Sequence, residues 1–257
     1  MQKRLTIIGS GNMAYAILRG VYESYEVEVV ARDPERLEAL AEEFGDDVLF
    51  TRLDEGYDIT GKAILTAVKP YALADVARHL SGEAHAHLSV MAGVTLAQLR
   101  AAIPAGYTVR AMPNLAALYS RSMTTLCGDS DYKYDALAIC SCFGKTLWVK
   151  SEREIDIATA IAGSGPAYLA LVAEALADGG VKSGLARADA MRLVEGLFEG
   201  MGALLAEQHP ALLKDGVMSP GGTTAAGYGM LEEGGVRDAC IKAVEAAYKK
   251  ACELGGK

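Results

Sequence analysis

The residues in this chain best suited to chemistry sit near its two ends. Close to the carboxyl end, Ser219-Pro220-Gly221-Gly222-Thr223-Thr224 precedes a helical pattern. A Pro-Gly-Gly turn clears side-chain bulk from the backbone, and N–H groups at a helix amino terminus can hold a carboxylate or phosphate against the positive end of the dipole. The hydroxyls of Ser219, Thr223 and Thr224 add donors. The same residues would also serve an ordinary turn with a Ser/Thr cap, so the stretch alone leaves both readings open. Close to the amino end, Leu5 to Ile8 enters Gly9-Ser10-Gly11-Asn12-Met13-Ala14, followed by Ala16, Ile17, Leu18 and Val21 at helical spacing. This strand, turn and helix carry the pattern G-x-G-x-x-A. Its first glycine permits the tight turn, its second lets a pyrophosphate approach the backbone, and Ala14 keeps helix and strand close.

The next strand, Val27 to Val30, leads into Ala31-Arg32-Asp33-Pro34. A fold specific for NAD usually has an acid at its end to take the ribose hydroxyls. Here Ala31 stands at that position and Arg32 follows, and a guanidinium can pair with a 2'-phosphate and stack on adenine. The expectation is therefore NADPH in preference to NADH. The alternative is a solvated Arg32 with Asp33 on the ribose and NADH as cofactor. Ala67-Val68-Lys69-Pro70 ends another strand and is expected to line the same crevice, although Lys69 also fits a plain surface position.

These residues need a frame, and the first half supplies one. Helical spacing spans Pro34 to Phe44, and Val48 to Phe50 reads as a third strand. Ala63 to Val68 follows as a strand and Tyr71 to Leu80 as a helix. Leu88 to Ala92 reads as a fifth strand, Leu96 to Ile103 as a helix and Tyr107 to Met112 as a sixth strand, ending at Pro113-Asn114. Thr124 to Cys127 and Thr146 to Val149 read as edge strands flanking a helix over Asp131 to Phe143. The alternation predicts a doubly wound, mostly parallel α/β sheet of the Rossmann type over residues 1–150.

Beyond that, residues 151–257 show no strand alternation and read as all helical. Glu154 to Asp178 is apolar nearly all round, which implies burial on more than one side. Gly163-Ser164-Gly165-Pro166 interrupts it, predicting a kink with Ser164 facing the gap. Gly196, Gly200 and Gly202 weaken the Ala188 to Glu207 helix unless a backbone packs closely there. Such a unit completes its core by pairing with a second copy, so a homodimer is expected; a self-contained bundle is the alternative.

With 257 residues, 51% of them hydrophobic, the chain can bury a substantial core. The net charge of −8 and scattered basic residues argue against a nucleic-acid surface. Lys3 and Arg4 before a short apolar run resemble a signal peptide, but the glycines end that run too soon. No other stretch reads as a membrane span. Five cysteines without a CxxC pair, and four histidines, offer no metal set and suit reduced thiols in the cytoplasm.

A nicotinamide domain followed by helices suggests hydride transfer, yet the second half has no evident Lys or His acid. An imine substrate fits better than a carbonyl. A protonated C=N is already electrophilic, and the enzyme need only orient it, hold its carboxylate and hydrogen-bond its nitrogen, for which a hydroxyl suffices.

Several motifs stand together in order: Gly9 to Ala14, Ala67 to Pro70, Ala92-Gly93-Val94-Thr95, Arg110 with Met112-Pro113-Asn114, Gly163 to Tyr168, and Ser219 to Thr224. Over nearly its whole length the chain resembles the pyrroline-5-carboxylate reductase family. The resemblance implies NADPH-dependent reduction of L-1-pyrroline-5-carboxylate to L-proline, the last step of proline synthesis. It also implies a dimer with interlocked helical domains, open to further assembly. On that likeness Gly9, Ser10, Gly11, Asn12, Met13, Ala14, Arg32, Ala67, Val68, Lys69, Pro70, Ala92, Gly93, Pro113 and Asn114 would bind cofactor. Ser219 and Gly221 belong to the carboxylate turn, in which Gly222, Thr223 and Thr224 would bind through backbone N–H groups, with the Thr224 hydroxyl facing the ring nitrogen as a proton donor. Ser164 would line that pocket, and Glu152 and Glu207 match acidic positions near it. Leu115 stands where a threonine is usual and Ala162 where a serine is. The alternatives are a reductase of another small cyclic imine or keto acid, and a non-catalytic NADPH-binding dimer.

Overall fold

The structure is a computed structural model and describes residues 3–254. Residues up to Ser164, together with those from Ala246 onward, form one compact unit; Gly165–Glu245 form a second.

The first unit is built on eight strands: β1 Lys3–Ile8, β2 Tyr25–Ala31, β3 Val48–Arg52, β4 Ala63–Thr66, β5 Ala84–Ser89, β6 Ala105–Met112, β7 Ser122–Gly128 and β8 Gly144–Trp148. Their order is β8-β7-β6-β5-β4-β1-β2-β3. From β3 to β6 every neighbouring pair is parallel; β7 lies antiparallel to β6, and β8 is parallel to β7. The six parallel strands follow the 3-2-1-4-5-6 order of a dinucleotide fold, which reverses direction between β1 and β4. A pair of two-residue strands, Tyr57–Asp58 and Leu80–Ser81, forms a small separate sheet.

Alternation along the strands distributes the core to both faces. Leu5, Ile7, Val27 and Val29 pack with α1 Asn12–Val21, α2 Pro34–Phe44 and α5 Lys133–Ser141 through Ile17, Leu18, Leu40 and Ile139. Ile8, Val30 and Ile64 face the opposite layer of α3 Leu73–His79 and α4 Leu96–Ala102, meeting Val76 and Leu99.

Most strand and helix boundaries shift by one to three residues from the sequence reading, and three shifts are instructive. The expected Leu88 to Ala92 strand is β5, Ala84–Ser89, because the ladder to β4 runs from Ala63↔Ala86 to Thr66↔Ser89. His85 and His87 disguise its beginning, while the apolar Val90-Met91-Ala92 lies past the sheet. The strand read as Ala63 to Val68 stops at Thr66, and Pro70, which lacks an N–H, opens a 3-10 turn over Pro70–Ala72 before α3. Likewise the helix read over Asp131 to Phe143 is a 3-10 turn at Ser130–Tyr132 followed by α5.

Beyond β8 the chain is helical: α6 Glu152–Ala158, a π-helical turn Thr159–Gly163, α7 Gly165–Lys182, α8 Arg187–Glu207, α9 Pro210–Val217, α10 Thr223–Glu233 and α11 Val236–Leu254. The interruption predicted at Gly163–Pro166 is this π turn, closed by a 2.9 Å bond from the Ser164 N–H to the Thr159 carbonyl.

The expected burial of the 154–178 segment is met at Ile155 and Ala160 but not over most of α7 within one chain. Ala177 is the buried residue of α7, whereas Leu169, Leu171 and Leu176 are exposed. The core of the second unit is correspondingly small, with Ala177, Ala190 and Val194 joined by Ala173, Val181 and Phe198. Close packing at the α8 glycines is also absent within the chain: a Cβ at Gly196, Gly200 or Gly202 would meet nothing within 4 Å. By length and composition the helical run Glu152–Lys182 suffices to cross a membrane, contrary to the expectation that no stretch would.

Candidate active site

The glycine-rich turn joins β1 to α1, and Gly9 stands at φ +127°, where a side chain is strained. Space forbids one as well, since a Cβ there would lie 2.6 Å from the Ala67 carbonyl oxygen and 3.1 Å from Val68. Gly11 is the opposite case. It caps α1 without a side-chain hydrogen bond, and a Cβ on it would project into open space. The surface in front of the α1 amino terminus is therefore bare backbone, with the first-turn N–H groups of Asn12, Met13 and Ala14 lacking acceptors inside the helix. A pyrophosphate fits such a cradle.

A crevice opens beside it, lined by Gly9, Ser10, Ala31, Arg32, Val68 and Val76 among others. It lies where the strand order reverses, the place where doubly wound folds take a nucleotide. Arg32, half exposed, forms an ion pair with Asp75 of α3. Asp33 caps α2, accepting from the Arg36 N–H at 3.3 Å, and the Arg36 guanidinium donates to the Ser10 carbonyl at 3.2 Å. The structure thus brings Gly9, Ser10, Ala67, Val68 and Arg32 into one neighbourhood. Lys69 is exposed at the start of the Pro70 turn.

Ala92 and Gly93 precede α4, whose first turn is closed by a Thr95–Gln98 capping box. Next to it, Glu152, expected near the substrate, has partners within the protein. Its Oε1 accepts from the Leu96 N–H at 2.8 Å and from Arg110 Nη1 at 2.7 Å. Arg110 is 4% exposed and also approaches Asp156, at 3.6 Å. The buried guanidinium draws Glu152 and Asp156 of α6 to the end of β6.

Asn114 is similarly engaged. Its Nδ2 donates to the Ala162 carbonyl at 3.0 Å, its Oδ1 accepts from the Ala116 N–H, and its own N–H donates to Ser122 Oγ. Ala162 precedes Pro166 by four residues, and proline has no N–H to offer that carbonyl. The Asn114 amide supplies it instead, so the side chain assigned to cofactor binding is occupied in bracing the π turn. Pro113 is buried, Ser164 is half-buried and Leu115 is 70% exposed.

In the second unit, Gly221 adopts φ +72° and Gly222 is the N-cap of α10, with no side-chain cap bond. A cap role for the hydroxyls is thus not taken up. The Gly222 N–H, expected to bind carboxylate, instead closes the turn onto the Ser219 carbonyl at 3.1 Å. The first-turn N–H groups of Thr223, Thr224 and Ala225 remain as the donors that a helix leaves without internal acceptors. A Cβ on Gly222 would come within 2.5 Å of Ser219 Oγ and 3.2 Å of the Ser219 carbonyl oxygen, so a side chain there would require the Ser219 hydroxyl to turn away. Ser219 and Thr223 are exposed, Thr224 is half-buried, and Glu207 lies exposed at the end of α8. The other end of α10 is tied by Glu232, which accepts from the Tyr228 hydroxyl at 2.6 Å and from Arg237. The Arg237 hydrogen bond draws that carboxyl down to about 2.

Three participants escaped the sequence reading: Arg36, Asp75 and Asp156. Arg36, in the first turn of α2 after the Asp33 cap, was open to inference from spacing; the other two find their partners through the tertiary fold. Among the described residues there is no cluster suited to a metal ion.

Residues 152–254 match the family model described as pyrroline-5-carboxylate reductase dimerisation, and residues 4–93 match NADP oxidoreductase coenzyme F420-dependent. Pyrroline-5-carboxylate reductase of Thermus thermophilus is 40% identical over 262 residues, covering 98% of each chain. The structure of pyrroline-5-carboxylate reductase from Coxiella burnetii superposes with a TM-score of 0.85 at 32% identity over 99% of both chains. The Plasmodium falciparum pyrroline carboxylate reductase structure with NADP bound gives 0.79 at 27% identity, again over 99% of both.

Proposed function

The chain belongs to the pyrroline-5-carboxylate reductase family, and from that premise we propose which of its residues carry the reaction. The protein is an NAD(P)H-dependent reductase of the proline-biosynthetic type, converting L-1-pyrroline-5-carboxylate to L-proline, and its helical half is a dimerisation domain. The observation that carries the residue assignments is the presence in one chain of two bare amino termini: α1 behind Gly9–Ala14 and α10 behind Ser219–Gly222.

The bound nicotinamide supplies the hydride. On the protein side, α1 and its turn receive the pyrophosphate, and the crevice wall at Ala31 and Arg32 receives the adenosine. Absence of an acid at Ala31 and presence of a guanidinium at Arg32 favour NADPH over NADH. The Thr223 and Thr224 backbone N–H groups bind the substrate carboxylate, with the α10 dipole adding to the attraction. The Thr224 hydroxyl hydrogen-bonds the ring nitrogen. When the imine arrives unprotonated, the same hydroxyl passes it the proton that accompanies reduction and regains one from water, which the half-buried Thr224 can reach. Glu152 serves by holding α4 and Arg110 rather than by touching substrate.

The exposed leucines of α7 and α8 suit a surface covered by a second copy, which also accounts for an apolar helix without assigning it to a membrane. We assign the protein to the cytoplasm, consistent with cysteines among which no disulfide forms. Initial rates with racemic pyrroline-5-carboxylate, run with NADPH and NADH in parallel, test the cofactor assignment. Faster turnover with NADPH is expected; faster turnover with NADH would reverse it.

A further inference from the structure

We propose that Asp75 is a specificity-determining residue, whose carboxylate holds Arg32 in competition with the cofactor's 2'-phosphate and so sets how strongly the enzyme favours phosphorylated cofactor. The inference rests on the reading of Arg32 as the phosphate ligand. Its own basis is the placement of the ion pair. Arg32 follows β2 on one wall of the nucleotide crevice, and Asp75 immediately precedes Val76, a lining residue of the α3 wall. The pair links the two walls.

Asp75 divides its oxygens. Oδ2 pairs with Arg32, and Oδ1 accepts from Arg78 Nη2 at 2.6 Å. Arg78 lies one turn further along the same helix and keeps the carboxylate partnered whether or not Arg32 stays. Releasing Arg32 therefore strands no charge on α3, and the guanidinium is free to be exchanged between anions. A phosphate dianion offers it more charge and a bidentate geometry, but must approach within the field of the Asp75 carboxylate. Like-charge repulsion acts on a 2'-phosphate and is absent for the uncharged 2'-hydroxyl. Asp75 thus taxes the phosphorylated cofactor selectively. Its side chain is 32% exposed and that of Arg32 51%, so the effect is that of a partly screened pair.

The test is equilibrium titration of NADP+ and NAD+ onto the intact protein by calorimetry, for the parent, Asp75→Asn and Arg32→Gln. Asn is isosteric and retains an acceptor, so the substitution removes charge with little change in shape. NADP+ is expected to bind Asp75→Asn about threefold to tenfold more tightly, the scale of one partly exposed charge interaction, with NAD+ changing less than about twofold. Unchanged or weaker NADP+ binding, or equal gains for both cofactors, would overturn the role of Asp75. Arg32→Gln separates this failure from that of the underlying reading. Loss of NADP+ affinity with NAD+ preserved upholds Arg32 as the phosphate ligand, whereas unchanged NADP+ affinity overturns both assignments.

Discussion

Acidification should weaken this fold through one histidine inside the sheet. His87 is fully buried on β5, with Nε2 3.0 Å from the Thr66 hydroxyl and Nδ1 facing no hydrogen-bond partner among the described residues. Burial penalises the imidazolium and lowers its pKa from the ordinary 6.5 to about 4. An unfolded chain therefore takes up this proton first as pH falls. Stability due to His87 is complete above pH 6.5, declines between about 6.5 and 4, and changes no further below, where both states are protonated. At about 1.4 kcal/mol per pH unit, the interval amounts to about 3 kcal/mol. Carboxylates also titrate on acidification, so the informative quantity is a difference in slope. Urea unfolding of the parent and of His87→Gln, at fixed protein concentration from pH 7 to pH 4, supplies it. The parent should lose about 3 kcal/mol more than the variant across that range, whatever their offset at pH 7. Parallel pH dependences would refute the argument that a neutral, desolvated imidazole is locked in the sheet.

Other substitutions probe the joints around the site. Arg110→Met leaves Glu152 and Asp156 without their buried cation and should cost about 3–5 kcal/mol, read as a fall in unfolding midpoint. Asn114→Ala should cost about 1–3 kcal/mol by leaving the Ala162 carbonyl unpaired. Pro166→Ala, which restores an N–H in the helix, should recover part of that loss in a double-mutant cycle. Thr224→Ala should lower turnover about 100-fold where the imine is unprotonated and less at acidic pH, as followed by the rate of NADPH oxidation; turnover equal to the parent at every pH would remove the proton-donor role.

Much of the first unit was legible because its strands are short, branched and punctuated by glycine and proline. Gly9 is a clear instance, since the turn needs both its positive φ and its missing Cβ against Ala67. β5 was shifted because His85 and His87 look like loop residues, while Val90-Met91-Ala92 looks like strand. What settles its register is pairing with β4, a long-range contact. The apolar helices of the second unit were read correctly as helices, and the burial on more than one side expected of them is not met within a single chain. An apolar face records that it will be covered, without recording whether the cover belongs to the same chain. Side-chain commitments were the least legible. Pro166 announces an orphan carbonyl at Ala162, but nothing local names Asn114 as its donor. Arg32 and Asp75, 43 positions apart, meet because β2 and α3 flank one crevice.

In the proposed reaction, the carboxylate held at the amino terminus of α10 orients the imine for reduction. The most direct measurement compares kcat/KM for pyrroline-5-carboxylate with that for 1-pyrroline, the same ring without the carboxylate, using NADPH. Two charge-assisted hydrogen bonds at about 1.5–3 kcal/mol each predict a preference of roughly 100-fold or more for the carboxylate-bearing substrate. Comparable efficiencies for the two rings would contradict the claim.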